Sequence, residues 1–197
     1  IAEAHLDDPA KVKDCLRKIG LSGQHLLSLI NDVLDMSKIE SGKTTLNLCD
    51  VNLADIINET DNIIRPQAKK KNQTFVVKSD GVEYCCITAD KLRLSQILIN
   101  ILSNAVKYTE EGGNITFEIK EIKVTNPQIV KYKFIISDNG IGMSEEYLKD
   151  IFKPFTREET SLTDAVQGTG LGMAITKNLI DLMGGTIKVL STQGVGT

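Results

Sequence analysis

The sequence predicts a two-layer α/β sandwich preceded by a long helix, and three observations lead there. Residues 8–38 carry apolar side chains at spacings that alternate near three and four, the seam of a helix that pairs with other helices. After Ser41-Gly42 the pattern changes to short strand-like runs interspersed with longer helical stretches. Those runs do not alternate strictly with helices, which argues against a doubly wound parallel sheet and leaves strands in one layer and helices in another. The chain so divides into residues 1–43, a partial helical segment, and residues 44–197, the sandwich.

In chain order, Ile1 to Leu6 reads as the tail of a preceding antiparallel helix, joined by the short Asp7-Asp8-Pro9 turn. Asp7 or Asp8 caps the long helix and Pro9 fits its first turn, with Val12, Cys15, Ile19, Leu26, Leu29, Ile30 and Val33 along the seam. The seam is too long and narrow to be covered by one globular domain, so pairing in a homodimer through residues 8–40 is expected. A helix packed on its own domain is the plainer alternative. Residues 44–52 form a strand through Leu46, Leu48 and Val51, and Asn52 caps a helix from Leu53 to about Lys70. Strands follow at Gln73 to Lys78 and Cys85 to Thr88, and Asp90 caps a second long helix. Gly112-Gly113-Asn114 is a turn, and Ile115 to Val124 and Lys131 to Ser137 form an antiparallel pair across Asn126-Pro127. A short helix near Glu145 to Lys149, a polar loop from about Thr156 to Gln167, a helix from Leu171 to Met183 and a strand from Thr186 to Leu190 complete the chain.

Composition narrows the function. A net charge of -3 gives no electrostatic case for nucleic acid, which needs clustered Lys and Arg. The cysteines Cys15, Cys49, Cys85 and Cys86 have no C-x-x-C spacing, so reduced cytosolic thiols are the default. No segment approaches the ~20 apolar residues of a membrane span, and the N-terminus lacks the basic and apolar regions of a signal peptide. A membrane would enter only through regions outside this sequence. The absence of an initial methionine suggests a piece of something longer.

Three stretches carry chemistry. In the helix around Gln96 to Thr109, Asn100, Asn104 and Lys107 recur at i, i+4 and i+7 and form one narrow polar stripe opposite Ile97, Leu98, Ile101, Leu102 and Ala105. Two amides and an ammonium in line suit a ligand wall, although a solvated face explains them equally well taken alone. Asp138-Asn139-Gly140-Ile141-Gly142-Met143 follows an apolar strand, where a carboxylate can face a cavity and glycines admit a flat ligand. A tight turn is the plainer account. Gly168-Thr169-Gly170-Leu171-Gly172-Met173 opens a helix whose free N–H groups suit a phosphate chain. It lacks the Lys-Ser/Thr ending of a P-loop, and no βαβ unit surrounds it.

Each motif is weak alone, but Asn104 with Lys107 and Tyr108, then Asp138 with Gly140 and Gly142, then Phe152 to Phe155, then Gly168 to Gly172, then Gly184-Gly185-Thr186 stand in one fixed order. From about Leu46 to Thr197 the chain resembles the catalytic ATP-binding domain of sensor histidine kinases, with the N, G1, F and G2 boxes of the wider family that includes gyrase and the heat-shock chaperone ATPases. Gln24 to Gly42 is similar to the second helix of the dimerisation and phosphotransfer hairpin of those kinases.

The resemblance implies a Bergerat (GHKL) ATP-binding fold, ATP and Mg²⁺ as cofactors, transfer of the γ-phosphate to a histidine, and a response-regulator receiver domain as partner. It implies that Asp138 accepts from the adenine amino group, which guanine lacks at that position. Gly140 and Gly142, with Met143 beside them, would keep the base pocket open. Asn104 would ligate Mg²⁺ through its carbonyl oxygen, Asn100 would support that metal or its waters, and Lys107 would meet phosphate oxygens. Tyr108 would pack by the adenosine. Gly168, Thr169, Gly170, Leu171 and Gly172 would form the lid hinge and offer backbone donors to the phosphates. Arg157 is a phosphate contact or a solvated charge, and Phe152 and Phe155 are expected to anchor the lid by burial.

Two departures matter. Hydrolases of the wider family place a glutamate one turn before the metal asparagine, whereas Asn100 stands there and an amide is no general base. Water attack should be poorly catalysed, which favours transfer over hydrolysis. The acceptor histidine of the kinases matches neither His5 nor His25, so it is expected upstream. A catalytically decayed nucleotide-binding dimerisation module and a true ATPase are the competing readings.

Overall fold

A computed structural model describes residues 8–41, 45–79, 81–83, 85–122, 124–126, 129–158 and 168–197. Expectations for Ile1 to Leu6, His5, Asp7, Gly42 and the loop after Glu158 as far as Gln167 lie outside these residues, as does the side chain of His25. The chain divides into two compact units, residues 1–44 and 45–197.

Among the described residues the first unit is one helix, α1 (Pro9–Glu40). Asp8 begins it as expected, its carboxylate accepting from the Lys11 N–H at 3.1 Å. Leu16, Ile19, Leu26, Leu27, Ile30, Val33 and Leu34 along its length are exposed.

In the second unit, β1 (Cys49–Asn52) leads into α2 (Leu53–Lys70). Asn52 caps that helix, its side chain accepting from Ala54 N–H at 2.9 Å. Then come β2 (Thr74–Lys78), β3 (Cys86–Ala89) and α3 (Lys91–Tyr108). Asp90 caps α3 through one carboxylate oxygen, 3.0 Å from Arg93 N, and holds the segment before β1 through the other, 2.9 Å from Asn47 N. That dual use explains why a carboxylate is tolerated at 5% exposure. β4 (Asn114–Ile122), β5 (Lys131–Asp138), α4 (Glu145–Asp150) and α5 (Gly172–Leu182) follow.

β2, β4 and β5 form one sheet, with β2 parallel and β5 antiparallel to the central β4, and β1 pairs antiparallel with β3. Alternate residues Ile115, Phe117 and Ile119 of β4 are buried on one face, as the period of two requires. Leu53, Ile56 and Ile64 of α2 and Leu98, Leu102 and Ala105 of α3 join them in one core. The helix layer on one sheet face is the predicted sandwich. The register sets Ile115 opposite Asp138, so the buried row of β4 ends beside the last residue of β5.

One expected strand is absent from the described residues. Thr186 to Leu190 pairs with no strand, although Ile187 and Val189 alternate inward as half-buried side chains. Alternation selects a face but does not supply a pairing edge. At the end of β5, Asp138 instead exchanges both backbone hydrogen bonds with Thr197, at 2.8 and 3.2 Å. The strand expected over 44–52 is likewise only four residues long.

Candidate functional site

The polar stripe of α3 lies on the side of the helix that meets α5 and the two glycine segments. Asn100, Asn104, Lys107 and Tyr108 are all half-buried. The Lys107 ammonium stands over the Tyr108 ring, 4.9 Å from its centroid, so a cation and an aromatic face share one end of the stripe.

Asp138, the last residue of β5, is drawn to that end by the turn that follows it. The Gly140 N–H donates to its carboxylate at 2.9 Å, and the Ile141 N–H donates to the Tyr108 carbonyl at 3.2 Å. Glycine is required at position 140 because an added Cβ would lie 2.5 Å from the Tyr108 carbonyl oxygen and 2.8 Å from the Asp138 carboxylate. Burial pushes the Asp138 carboxyl above the usual aspartate range, opposed by the backbone hydrogen bond from Gly140. A half-buried carboxylate, an acceptor of hydrogen bonds, fits recognition of an exocyclic amine.

Gly142 has a different task from Gly140. Its φ of +63° and its contact with the Thr192 carbonyl, which leaves no room for a Cβ, place it against the C-terminal turn. That turn is tied down by Gly194 N–H donating to Ile141 O at 2.7 Å and Met143 N–H donating to Ser191 Oγ at 2.9 Å. The pair Gly140 and Gly142 therefore splits into one residue that lets the loop lie on α3 and one that lets it lie on residues 191–196.

The second glycine segment closes on the same stripe. A Cβ on Gly168 would lie 2.7 Å from Lys107 Nζ, and one on Gly172 would lie 2.5 Å from the Asn100 side-chain oxygen. Gly170, at φ +71°, accepts from Phe155 N–H at 3.0 Å, while Thr169 Oγ accepts from Leu171 N–H at 3.1 Å. Leu171 is buried and seats the start of α5. Asn100 donates its amide to Thr176 of α5 at 2.6 Å. Its NH₂ is thus committed to a helix–helix contact.

Phe155 departs from expectation. It is 70% exposed, with φ at +62°, and contributes backbone to Gly170 rather than a buried ring. The close approach of Gly170 fixes its main chain in the left-handed region, and its side chain is directed outward. Phe152 is half-buried. Arg157 is exposed and lines a cleft of about 340 Å³ with Ser144, Tyr147, Thr156 and Glu158. Sequence reasoning passed over Tyr147, although burial, with Tyr108 and Glu158 nearby, raises its phenol above the usual range. It also passed over Thr176 and Gly196, whose missing Cβ admits the Asp138 carbonyl. The Gly172-to-Thr176 spacing of one helical turn was the available signal for Thr176.

Among the described residues no cluster of three or more His, Cys, Asp or Glu side chains could hold a metal ion, so a divalent cation here would depend on an amide oxygen together with phosphate and water ligands. Asn104 offers an amide oxygen on the wall between Asn100 and Lys107, and Mg²⁺ at nucleotide sites asks for few protein ligands rather than a closed cage.

Residues 89–197 match the family of histidine kinase-, DNA gyrase B- and HSP90-like ATPases, and the chain belongs to that family. More particularly, it carries the histidine-kinase type of this ATPase domain, as its relatives are sensor kinases. The autoinducer 2 sensor kinase/phosphatase LuxQ of Vibrio vulnificus is 38% identical over 171 residues, covering 86% of this chain and 20% of LuxQ. The sensor histidine kinase GacS of Pseudomonas protegens is 39% identical over 184 residues, covering 93% and 20%. The chain thus spans about a fifth of the length of these curated relatives. Among solved structures, full-length ShkA in complex with AMPPNP superposes with a TM-score of 0.76 at 30% identity, covering 93% of this chain and 36% of that one. Histidine kinase ThkA in complex with the response regulator protein TrrA gives 0.64 at 25% identity, covering 93% and 48%.

Proposed function

We propose that the chain binds ATP with Mg²⁺ and donates the γ-phosphate to a histidine on the upstream helix of a dimerisation hairpin, for relay to a response-regulator receiver domain. The observation that carries the reading is that both glycine segments meet one helix: Gly140 on Tyr108 and Gly168 on Lys107. An adenosine held at Asp138 and Tyr108 would direct its phosphates along α3 toward Lys107 and the Gly168–Gly172 segment.

Asp138 accepts from the adenine amino group and thereby disfavours guanine, which carries a carbonyl there. Asn104 would hold Mg²⁺, which when bound would neutralise phosphate charge. Lys107 adds a point charge, and N–H groups of the Gly168 segment supply donors. Catalysis is positioning and charge neutralisation, as phosphoryl transfer demands. Asn100 has no basic lone pair to activate water, and its amide is engaged by Thr176, which supports transfer over hydrolysis.

The exposed apolar residues of α1 support a homodimer through residues 8–40. The complex of ThkA with TrrA supports a receiver domain as phosphate acceptor downstream. The chain, mixed with a separately produced helix of the same protein bearing the acceptor histidine, is expected to yield acid-labile, alkali-stable label from γ-labelled ATP and Mg²⁺. No protein label, with steady phosphate release, would favour an ATPase; neither label nor release would leave a nucleotide-binding dimerisation module.

A further inference from the structure

The C-terminal end of α3, which carries Lys107 and Tyr108, has its backbone carbonyls closed by an unusual set of donors. The last four carbonyls of a helix lack partners within it and form the negative end of its dipole. Here Ala105 O accepts from Thr109 N–H at 3.0 Å and Tyr108 O from Ile141 N–H at 3.2 Å. The remaining two are served from outside the helix by side chains. Lys71 Nζ lies 2.9 Å from Val106 O, 3.0 Å from Lys107 O and 2.8 Å from Thr109 O, so all three ammonium protons are used. Gln73 Nε2 lies 3.0 Å from Val106 O and 2.7 Å from Thr109 O, with Glu110 O at 3.2 Å.

These donors are presented rigidly. Lys71 caps the C-terminus of α2, its N–H donating to Ala68 O at 3.0 Å, and Asn72 follows at φ +52°. The Gly112 N–H donates to Lys71 O at 3.0 Å, and the Thr74 N–H donates to Gly113 O at 2.8 Å. Lys71 is half-buried and Gln73 is 8% exposed. Desolvation lowers the Lys71 pKa from the ordinary lysine range. Three carbonyl acceptors nevertheless hold the charged form.

Geometry this complete would serve as a plain cap if a neutral donor stood there. A cation does more, because the carbonyls it closes include that of Lys107, the residue proposed to meet the phosphates. We propose that Lys71 is a positioning residue of the nucleotide site, whose charge cancels the negative pole of α3 so that Lys107 presents its full attraction to the phosphates. The inference rests on the ATP reading above. Gln73 completes the hydrogen bonding of the same carbonyls without adding charge.

Charge cancellation and mere fixation of the helix differ in how they depend on the ligand. Adenosine, ADP and ATP titrated into the wild type, Lys71→Met, Lys71→Arg and Gln73→Met separate the two. Lys71→Met is expected to weaken ATP about three- to tenfold, ADP less, and adenosine hardly at all, in line with the size of helix-dipole effects. Lys71→Arg should recover most of the ATP affinity, and Gln73→Met should show no gradient with phosphate number. Equal weakening of all three ligands in Lys71→Met, no weakening, or the same gradient in Gln73→Met overturns the proposal. Should Lys71→Met fail to fold, Lys71→Gln carries the same comparison with an amide toward the carbonyls. A wild type that binds no ATP overturns the underlying reading as well, an outcome distinct from the others.

Discussion

Asp138 is held partly out of water, where a carboxylate costs stability, and in the proposed site an adenine amino group would meet it there. Its raised folded pKa means the folded state takes up the proton before the unfolded chain does. Between the ordinary aspartate pKa and the raised one, the folded state binds more protons, so stability falls as pH rises through that window and the cost is complete above it. Asp138→Asn should remove this slope and leave the ligand-free melting temperature no lower than that of the wild type at neutral pH; denaturant melts from pH 3 to 7 check both. Glycines at the site separate by what their missing Cβ would meet. Gly140→Ala drives a methyl into backbone at Tyr108 and should cost both stability and nucleotide binding. Gly168→Ala meets only the flexible end of Lys107, so it should weaken nucleotide binding while shifting the melting temperature little. Gly140 and Gly142 looked alike in the sequence, since a D-x-G-x-G reports where glycine is needed but not which atom approaches it.

At the scale of elements, α3 was the most legible part of the chain. Its cap Asp90, its span and its polar stripe follow from periodicity and the hydrogen-bonding needs of a helix start. The partner of the stripe was not legible, because a period identifies a face and says nothing of what packs there. Asn100 illustrates this: its type excludes a general base, yet its contact with Thr176 comes from tertiary packing of α5. Thr176→Val keeps the shape but strands the amide donor, and it should lower unfolding free energy by about 1–3 kcal/mol, measured by denaturant titration. For the same reason Thr186 to Leu190 alternates without joining a sheet, and Phe155 is apolar without being buried. Local pattern was overruled by the available pairing edge in one case and by a backbone contact with Gly170 in the other.

The whole molecule is two units with different sources of stability. Among the described residues the buried apolar side chains run from Leu53 to Leu179, all inside the unit of residues 45–197, whereas α1 exposes apolar residues along its length. A protein of residues 45–197 alone should therefore unfold cooperatively and bind ATP as tightly as the full chain, with circular dichroism and calorimetry as the readouts; loss of either would place part of the site in residues 1–44. The sequence suggests a boundary through the change of composition at Ser41-Gly42, and the chain divides into compact units of residues 1–44 and 45–197. The order of boxes identified the family because several short motifs at fixed order constrain far more than any one of them. The proposed site is adenine-selective and is built by Asp138, α3 and the Gly168–Gly172 segment. Calorimetric titration of ATP and GTP, with Mg²⁺, into the wild type and Asp138→Asn tests it most directly. The wild type should bind ATP and not measurably GTP, and Asp138→Asn should bind ATP about ten- to a hundredfold more weakly; equal binding of the two nucleotides, or unchanged ATP affinity in the variant, would contradict the account.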